Sequence, residues 1–156
     1  MEKTTIIKST RIKNDKKYLV DVIYNNFIDL AKNPILMHTK NDINNLLSSP
    51  YFIGLFIMIN EKLMGYLVGE EKMLNDQRYV YYISYIYIAE KIRYKKYGSM
   101  LMNMIEDIIK AKGINYIVLT CDTSNTKLVN FYKKRGYDID ILLQTHLKHN
   151  VFSKKI

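Results

Sequence analysis

The sequence predicts a mixed α/β domain built on one mainly antiparallel β-sheet. Three apolar, β-rich runs, Tyr51–Ile59, Leu63–Gly69 and Tyr79–Ala89, follow one another with only a tight turn and a polar loop between them. Segments whose apolar residues recur every three or four positions stand before and after those runs, and that spacing makes one helical face. The chain has 156 residues, 48% hydrophobic and 25% charged, enough for a proper core and ordinary for a globular protein. No repeat, linker or low-complexity stretch divides it, so one domain over 1–156 is expected.

Taken in order, Ile6-Ile7 form a short apolar start, and Arg11–Lys17 is a polar connector. From Lys16 to Lys32 the stripe of Leu19, Val22, Ile23, Phe27 and Leu30 predicts a helix, which Asn33-Pro34 ends because the residue before proline is pushed out of helical geometry. Thr39-Lys40-Asn41-Asp42 opens a second helix that closes near Ser48-Ser49-Pro50. Tyr51–Ile59, the turn Asn60-Glu61-Lys62 and Leu63–Gly69 read as a hairpin, and Glu70–Arg78 as a polar loop. Tyr79–Ala89 is apolar or aromatic at both odd and even positions, which places it inside a sheet covered on both faces. Leu101, Met104, Ile105 and Ile108 mark a helix from about Gly98 to Lys112, closed by Gly113. Asn115–Asp122 is a strand, Asn125–Arg135 a helix closed by Gly136, and Tyr137–Ile141 and Leu142–Val151 are closing strands.

The formal net charge of +9 favours anionic partners: a phosphorylated cofactor, nucleic acid or an acidic protein. Abundant Lys, Asn, Ile and Tyr beside an absence of Trp also fit the amino-acid usage of an AT-rich genome, so the placement of charge decides more than its sum. No apolar stretch reaches the roughly 20 residues of a membrane helix, and Met1–Thr5 lacks the pattern of a secretory signal. A lone Cys121 excludes an internal disulfide and a cysteine zinc cluster; a reducing, cytoplasmic setting is expected. His38, His146 and His149 have no metal-ligand spacing, so no metal and no histidine role is expected.

Chemistry concentrates in two segments. In the first, the strand through Ile86 and Ile88 ends in a basic loop, Arg93-Tyr94-Lys95-Lys96-Tyr97, which opens a helix at Gly98-Ser99. Unpaired N–H groups and the positive end of the dipole make such a helix start an anion site, and Arg93, Lys95 and Lys96 add field. A plain structural connection is the competing reading. In the second, Asn125–Tyr137, the stripe of Leu128, Phe131 and Tyr132 reads as a core-facing helix capped at Ser124 or Asn125. The chemical alternative directs the Tyr132 hydroxyl into a cleft as a proton donor and lets Asn125 bond a ligand amide.

Order, separation and residue types of these segments together resemble motifs A and B of the GNAT N-acetyltransferase superfamily. Motif A runs from the fourth strand through Arg/Gln-x-x-Gly-x-Gly/Ala into a helix; Arg93 matches its first residue, Gly98 its last glycine, and Ile88 the apolar strand residue five positions before the arginine. Motif B carries an asparagine, a helical tyrosine and a closing Gly-Phe or Gly-Tyr, matched by Asn125, Tyr132 and Gly136-Tyr137. Lys96 departs from the pattern, standing where the family has its first loop glycine; a positive φ there would strain it.

The resemblance covers nearly the whole chain and implies a six- to seven-stranded sheet flanked by about four helices, with the fourth and fifth strands splayed. It implies acetyl-CoA as co-substrate and no metal. The Ile86 and Ile88 backbone would hold the pantetheine arm, the amides of Lys95, Lys96, Tyr97, Gly98 and Ser99 the pyrophosphate, and Tyr132 would protonate the departing thiolate after direct attack by an amine. The base is open among Glu70, Glu71, Glu90, a relay through Tyr82, and solvent. The acceptor would be a small-molecule or protein amine, and a homodimer pairing across Leu142–Val151 is allowed. Lys96 and the missing strand carboxylate leave room for a non-catalytic acyl-CoA-binding module. Concentration of the tyrosines in Tyr79–Tyr87, which reads as buried, argues against a nucleic-acid-binding protein.

Overall fold

Apolar runs paired mostly with antiparallel neighbours set up the sheet. The computed structural model describes residues 2–10, 15–29, 38–143 and 149–156. Its seven strands are β1 (Thr4–Ser9), β2 (Phe52–Ile59), β3 (Lys62–Met73), β4 (Tyr79–Ile88), β5 (Tyr116–Asp122), β6 (Asp138–Ile139) and β7 (His149–Lys155), in the spatial order β1-β2-β3-β4-β5-β7-β6. β1 and β2, β2 and β3, β5 and β7, and β6 and β7 pair antiparallel, whereas β4 and β5 pair parallel. Four α-helices stand among the described residues: α1 (Lys16–Asn26), α2 (Lys40–Ser48), α3 (Tyr97–Ala111) and α4 (Thr126–Lys134). By contact density the residues form two compact units, Met1–Glu70 with Tyr85–Gly98, and Glu71–Ser84 with Ser99–Ile156.

In the first unit, β2 and β3 join through Asn60 and Glu61, both with positive φ (49° and 67°), the backbone a two-residue hairpin with the right twist requires. β2 is buried almost throughout, as its unbroken apolar run demands. α1 offers Leu19, Val20 and Ile23 and α2 offers Ile43, Leu46 and Leu47 to a core shared with Phe52, Phe56, Tyr66 and Val68. Thr39 starts α2 with a reciprocal cap: its hydroxyl accepts from the Asp42 N–H, and Asp42 accepts from the Thr39 N–H. α1 is shorter than its periodicity suggests, because Phe27 already leaves helical geometry at φ −121°, ψ 32°. Residues 30–37, which include Leu30 and the Asn33-Pro34 stop, lie outside the described residues.

In the second unit, Val80, Val118 and Val151 form a small core with Tyr82, Tyr116 and Leu143 packed against it. α3 buries Leu101, Met102, Ile105 and Ile109, and Gly113 takes φ 81° just past its end; Gly136 does the same after α4 at φ 88°. Lys154 on β7 pairs with Glu106 of α3.

Some boundaries differ from expectation. β3 continues to Met73 through Glu70 and Glu71, where a loop from Glu70 is expected; only Leu74–Arg78 turns, closed by Leu74 N–H donating to the Arg78 carbonyl at 2.8 Å. The extension is polar because it is partly exposed, and a half-wet strand carries charged residues without penalty. The closing strands are also displaced: Tyr137–Ile141 contributes only Asp138–Ile139, and the strand expected at Leu142–Val151 is instead His149–Lys155. Asp140 breaks the first by turning its side chain onto the Leu142 N–H at 2.9 Å. Residues 144–148, His146 among them, lie outside the described residues. β6 is the outermost strand on that side, with β7 between it and β5.

Candidate active site

The segment Tyr85–Gly98 belongs to the first unit. Ala89 N–H donates to the Met64 carbonyl of β3 at 2.8 Å, so Ala89 turns its peptide group toward β3. In an extended strand neighbouring residues point their peptide groups to opposite edges, so Ile86 and Ile88 present theirs to the edge away from β3. The Ile88 carbonyl accepts from Arg93 Nε–H at 2.8 Å, and the guanidinium also lies 5.8 Å from the Tyr87 ring centroid. Arg93 therefore pins the loop to the end of its strand; its Nε is spent on that bond.

Between strand and helix, one 3₁₀ turn spans Glu90–Ile92, with Ile92 buried as its anchor. Tyr94 (φ 64°) and Lys96 (φ 68°) then both adopt left-handed backbone, and Tyr94 is 91% exposed. Lys96 thus holds the conformation a glycine would take, at a cost of about 1–2 kcal/mol for an L-residue. Strain of this kind persists where the surroundings over-determine it, which makes the loop a place to look for function. α3 begins directly afterwards at Tyr97, with no acidic residue in its first turn, and Lys95 and Lys96 are exposed beside it.

In the second unit, β4 and β5 pair over Tyr81–Ile83 and Ile117–Leu119; the ladder ends short of the strand ends at Ile88 and Asp122. After β5, Ser124 donates through both N–H and hydroxyl to Asp122 Oδ1, and Asn125 caps α4 by accepting the Leu128 N–H at 3.1 Å. The Asn125 carbonyl oxygen is used in the cap, leaving its NH₂ as the group to offer a ligand. Tyr132 is 3% exposed, its ring set edge-on to Phe131 and Tyr137 at 5.2 and 6.0 Å. Burial, with the nearby Cys121 thiol, raises the Tyr132 phenol well above the usual tyrosine range, so it holds its proton at any physiological pH. Burial likewise pushes the Cys121 thiol up to about 11, which keeps it an inert core group.

Among the carboxylates considered as bases, Glu71 pairs with Lys112 at 2.5 Å and accepts from the Tyr79 hydroxyl at 3.3 Å. Glu90 is exposed on the 3₁₀ turn, and Glu70 lies opposite Phe52 in the β2–β3 ladder. The Tyr82 hydroxyl is bonded to Thr120 Oγ1 at 2.5 Å, and burial raises its pKa. Sequence reasoning gave His38 no role, yet it is 4% exposed and its Nδ1 lies 2.8 Å from the Tyr85 hydroxyl. A histidine just before a helix cap carries no signal of its partner 47 residues away. Among the described residues no group of three or more His, Cys, Asp or Glu is placed to hold a metal ion, and no helix is long and apolar enough to cross a membrane.

Comparison with known proteins places this geometry in a family. The profile of the Acetyltransferase (GNAT) family matches residues 20–137. Among solved structures, the PaiA N-acetyltransferase of Thermoplasma acidophilum in complex with coenzyme A is 20% identical, with TM-score 0.69 over 97% of this chain and 99% of that one. A GNAT-family acetyltransferase of Streptococcus pneumoniae is 19% identical, with TM-score 0.70 over 99% and 100%. NAA60 of Arabidopsis thaliana in complex with a bisubstrate analogue is 12% identical, with TM-score 0.70 over 97% and 98%. These identities carry the fold, while the profile covers most of the sequence and carries the membership. The chain belongs to the GNAT acetyltransferase family.

Proposed function

We propose that this protein is a cytoplasmic N-acetyltransferase that moves the acetyl group of acetyl-CoA to a primary amine, small-molecule or protein-borne, by direct attack in a ternary complex. The observation that carries the proposal is Lys96 at φ 68°: the loop keeps a glycine's backbone geometry even where the family's glycine is replaced, immediately before the α3 N-terminus. Amides from Lys95 to Ser99 bind the pyrophosphate, aided by the Lys95 and Lys96 charges, and Arg93 holds the loop on the strand. Ile86 and Ile88 offer peptide groups to the pantetheine arm, and the Asn125 NH₂ is a further donor. When bound, acetyl-CoA supplies a thioester carbonyl open to an amine. Tyr132 keeps a proton on its phenolic oxygen and gives it to the sulfur as the acyl bond breaks.

The test is calorimetric titration with acetyl-CoA, then CoA release with a panel of primary amines for wild type and Tyr132→Phe. CoA affinity should be retained in the variant and turnover should fall about 100-fold or more, the usual worth of a positioned acid. Unaltered turnover removes Tyr132 from the mechanism. Burial of Tyr132 to 3% exposure favours a second reading, a non-catalytic acyl-CoA-binding module of this fold. Binding with no turnover for any amine selects it.

A further inference from the structure

Six aromatic side chains in the first unit touch in sequence. Tyr24 of α1 stacks on His38 at 5.4 Å with an interplanar angle of 2°, and His38 meets Tyr85 of β4 at 5.4 Å and 62°. Tyr85 packs on Phe27 at 5.1 Å, Phe27 on Tyr87 at 6.4 Å, and Tyr87 on Tyr66 at 5.6 Å. Tyr24, Phe27, Tyr85 and Tyr87 are only partly buried, so the row is not sealed core. Cations already rest on two of its rings: Lys40 Nζ is 5.4 Å from the Tyr24 ring centroid, and the Arg93 guanidinium faces Tyr87. Aromatic faces bind an ammonium in this way.

Within the row one polar contact stands out. His38 Nδ1 and the Tyr85 hydroxyl are 2.8 Å apart, while His38 Nε2 is buried with no hydrogen-bond partner among the described residues. Resting on the acetyl-transfer reading above, we propose that Tyr85, backed by His38, takes the proton from the acceptor amine, and that the aromatic row receives an ammonium carried on a slender aliphatic arm.

The step balances simply. The bound ammonium first gives one proton to the Tyr85 oxygen, while Tyr85 passes its own proton to His38 Nδ1. The freed lone pair then bonds to the acyl carbon. As the C–S bond breaks, the nitrogen's second proton leaves through solvent, replacing the one that Tyr132 gives to the sulfur. No charge is created overall; the positive charge moves from nitrogen to imidazole. Groups facing the imidazole suit that movement. Burial lowers its pKa and holds it neutral at rest, while the Tyr24 carbonyl and Asp42 favour the charged form when it arises. Lys40, the nearest cation on α2, is paired with Asp21 at 3.1 Å. Tyr85 would be the catalytic residue and His38 the positioning residue behind it. The arrangement also supplies a base where β4 carries no carboxylate.

The experiment compares wild type, His38→Asn, Tyr85→Phe and the double variant in CoA release with n-butylamine, spermidine and a lysine-containing peptide, across pH 5–9 (roughly the range where histidine titrates). His38→Asn keeps a partner for the Tyr85 hydroxyl but cannot accept a proton. The expected result is a loss in kcat/KM of about 100-fold or more in each single variant. The double variant should lose no more than either, and the acid limb of the pH profile should vanish with His38. Retention of the acid limb in His38→Asn, or additive losses, overturns the proposal while leaving acetyl transfer standing. Wild type that binds acetyl-CoA and turns over no amine removes the transferase reading and this inference with it. Should a variant fail to fold, NMR titration of the His38 imidazole in wild type decides. A pKa below the ordinary value that moves on addition of n-butylamine supports the pair, and an imidazole that ignores the amine refutes it.

Discussion

Replacing Lys96 by glycine and, separately, by alanine tests the backbone on which the phosphate turn depends. Lys96 sits at φ 68°, where an L-residue pays about 1–2 kcal/mol and glycine pays nothing. Glycine costs about 0.5–1 kcal/mol in additional chain entropy on folding. Alanine keeps the whole left-handed penalty and, like glycine, lacks the ammonium. The comparison between the two variants therefore isolates the backbone: Lys96→Gly should be more stable than Lys96→Ala by about 1 kcal/mol. In a chain of this length that is a gap of about 2–4 °C in Tm. The side-chain charge reports separately. Both variants should bind CoA with a shallower salt dependence than wild type, since each lacks one cation beside the phosphates. Differential scanning calorimetry and titration calorimetry at two salt concentrations read both effects. A Lys96→Ala variant more stable than Lys96→Gly would mean that residue 96 is not left-handed in solution, and the proposed phosphate geometry would lose its foundation.

Asp140 is buried to 2% of its side chain and bonded to Arg78 Nη1 at 2.8 Å; Asp140→Asn should cost about 3 kcal/mol and lower Tm by about 6–12 °C. Burial acts to raise the Asp140 pKa, but hydrogen bonds from Arg78, Ser153 and the Leu142 N–H outweigh it and hold the carboxyl below its ordinary value. The carboxylate's stabilisation is thus complete above the unfolded pKa and is lost as pH falls through the lower folded one. The Tm gap between wild type and variant should close below about pH 4, and a gap constant to pH 2 would refute the linkage. Gly65→Ala would put a Cβ 2.9 Å from the Tyr87 carbonyl and 3.3 Å from Ile88 Cδ1. Backbone cannot yield as a flexible side chain does, so about 1–3 kcal/mol of destabilisation in urea and weaker CoA binding are expected; an unchanged midpoint and affinity would show that β3 does not press on this part of β4.

Local signals reached far into the fold. The Thr39–Asp42 cap, the Asn60-Glu61 hairpin and the glycines after α3 and α4 all operate within four or five residues, so their residue types specify them directly. Unbroken apolar runs marked β2, buried on both faces, and β4, which is fully buried only at Val80, Tyr81 and Ile83 and partly covered beyond them. Where exposure varied along an element, the pattern weakened: β3 was extended past its apolar part by ladder pairing, and the Tyr137–Ile141 strand was cut short by the Asp140 side chain.

The sequence alone determined the mixed α/β class, the order of elements, the basic turn before α3 and the family those features belong to. It could flag Lys96 as a departure but not fix its φ, because backbone dihedrals at a lysine follow from how both ends of the loop are held. Only tertiary structure decided that Tyr132 lies buried, that Glu71 is tied to Lys112, and that His38 meets Tyr85. Each is a contact between residues distant in sequence, made when separate elements pack, and no local pattern encodes which side chains will then face one another.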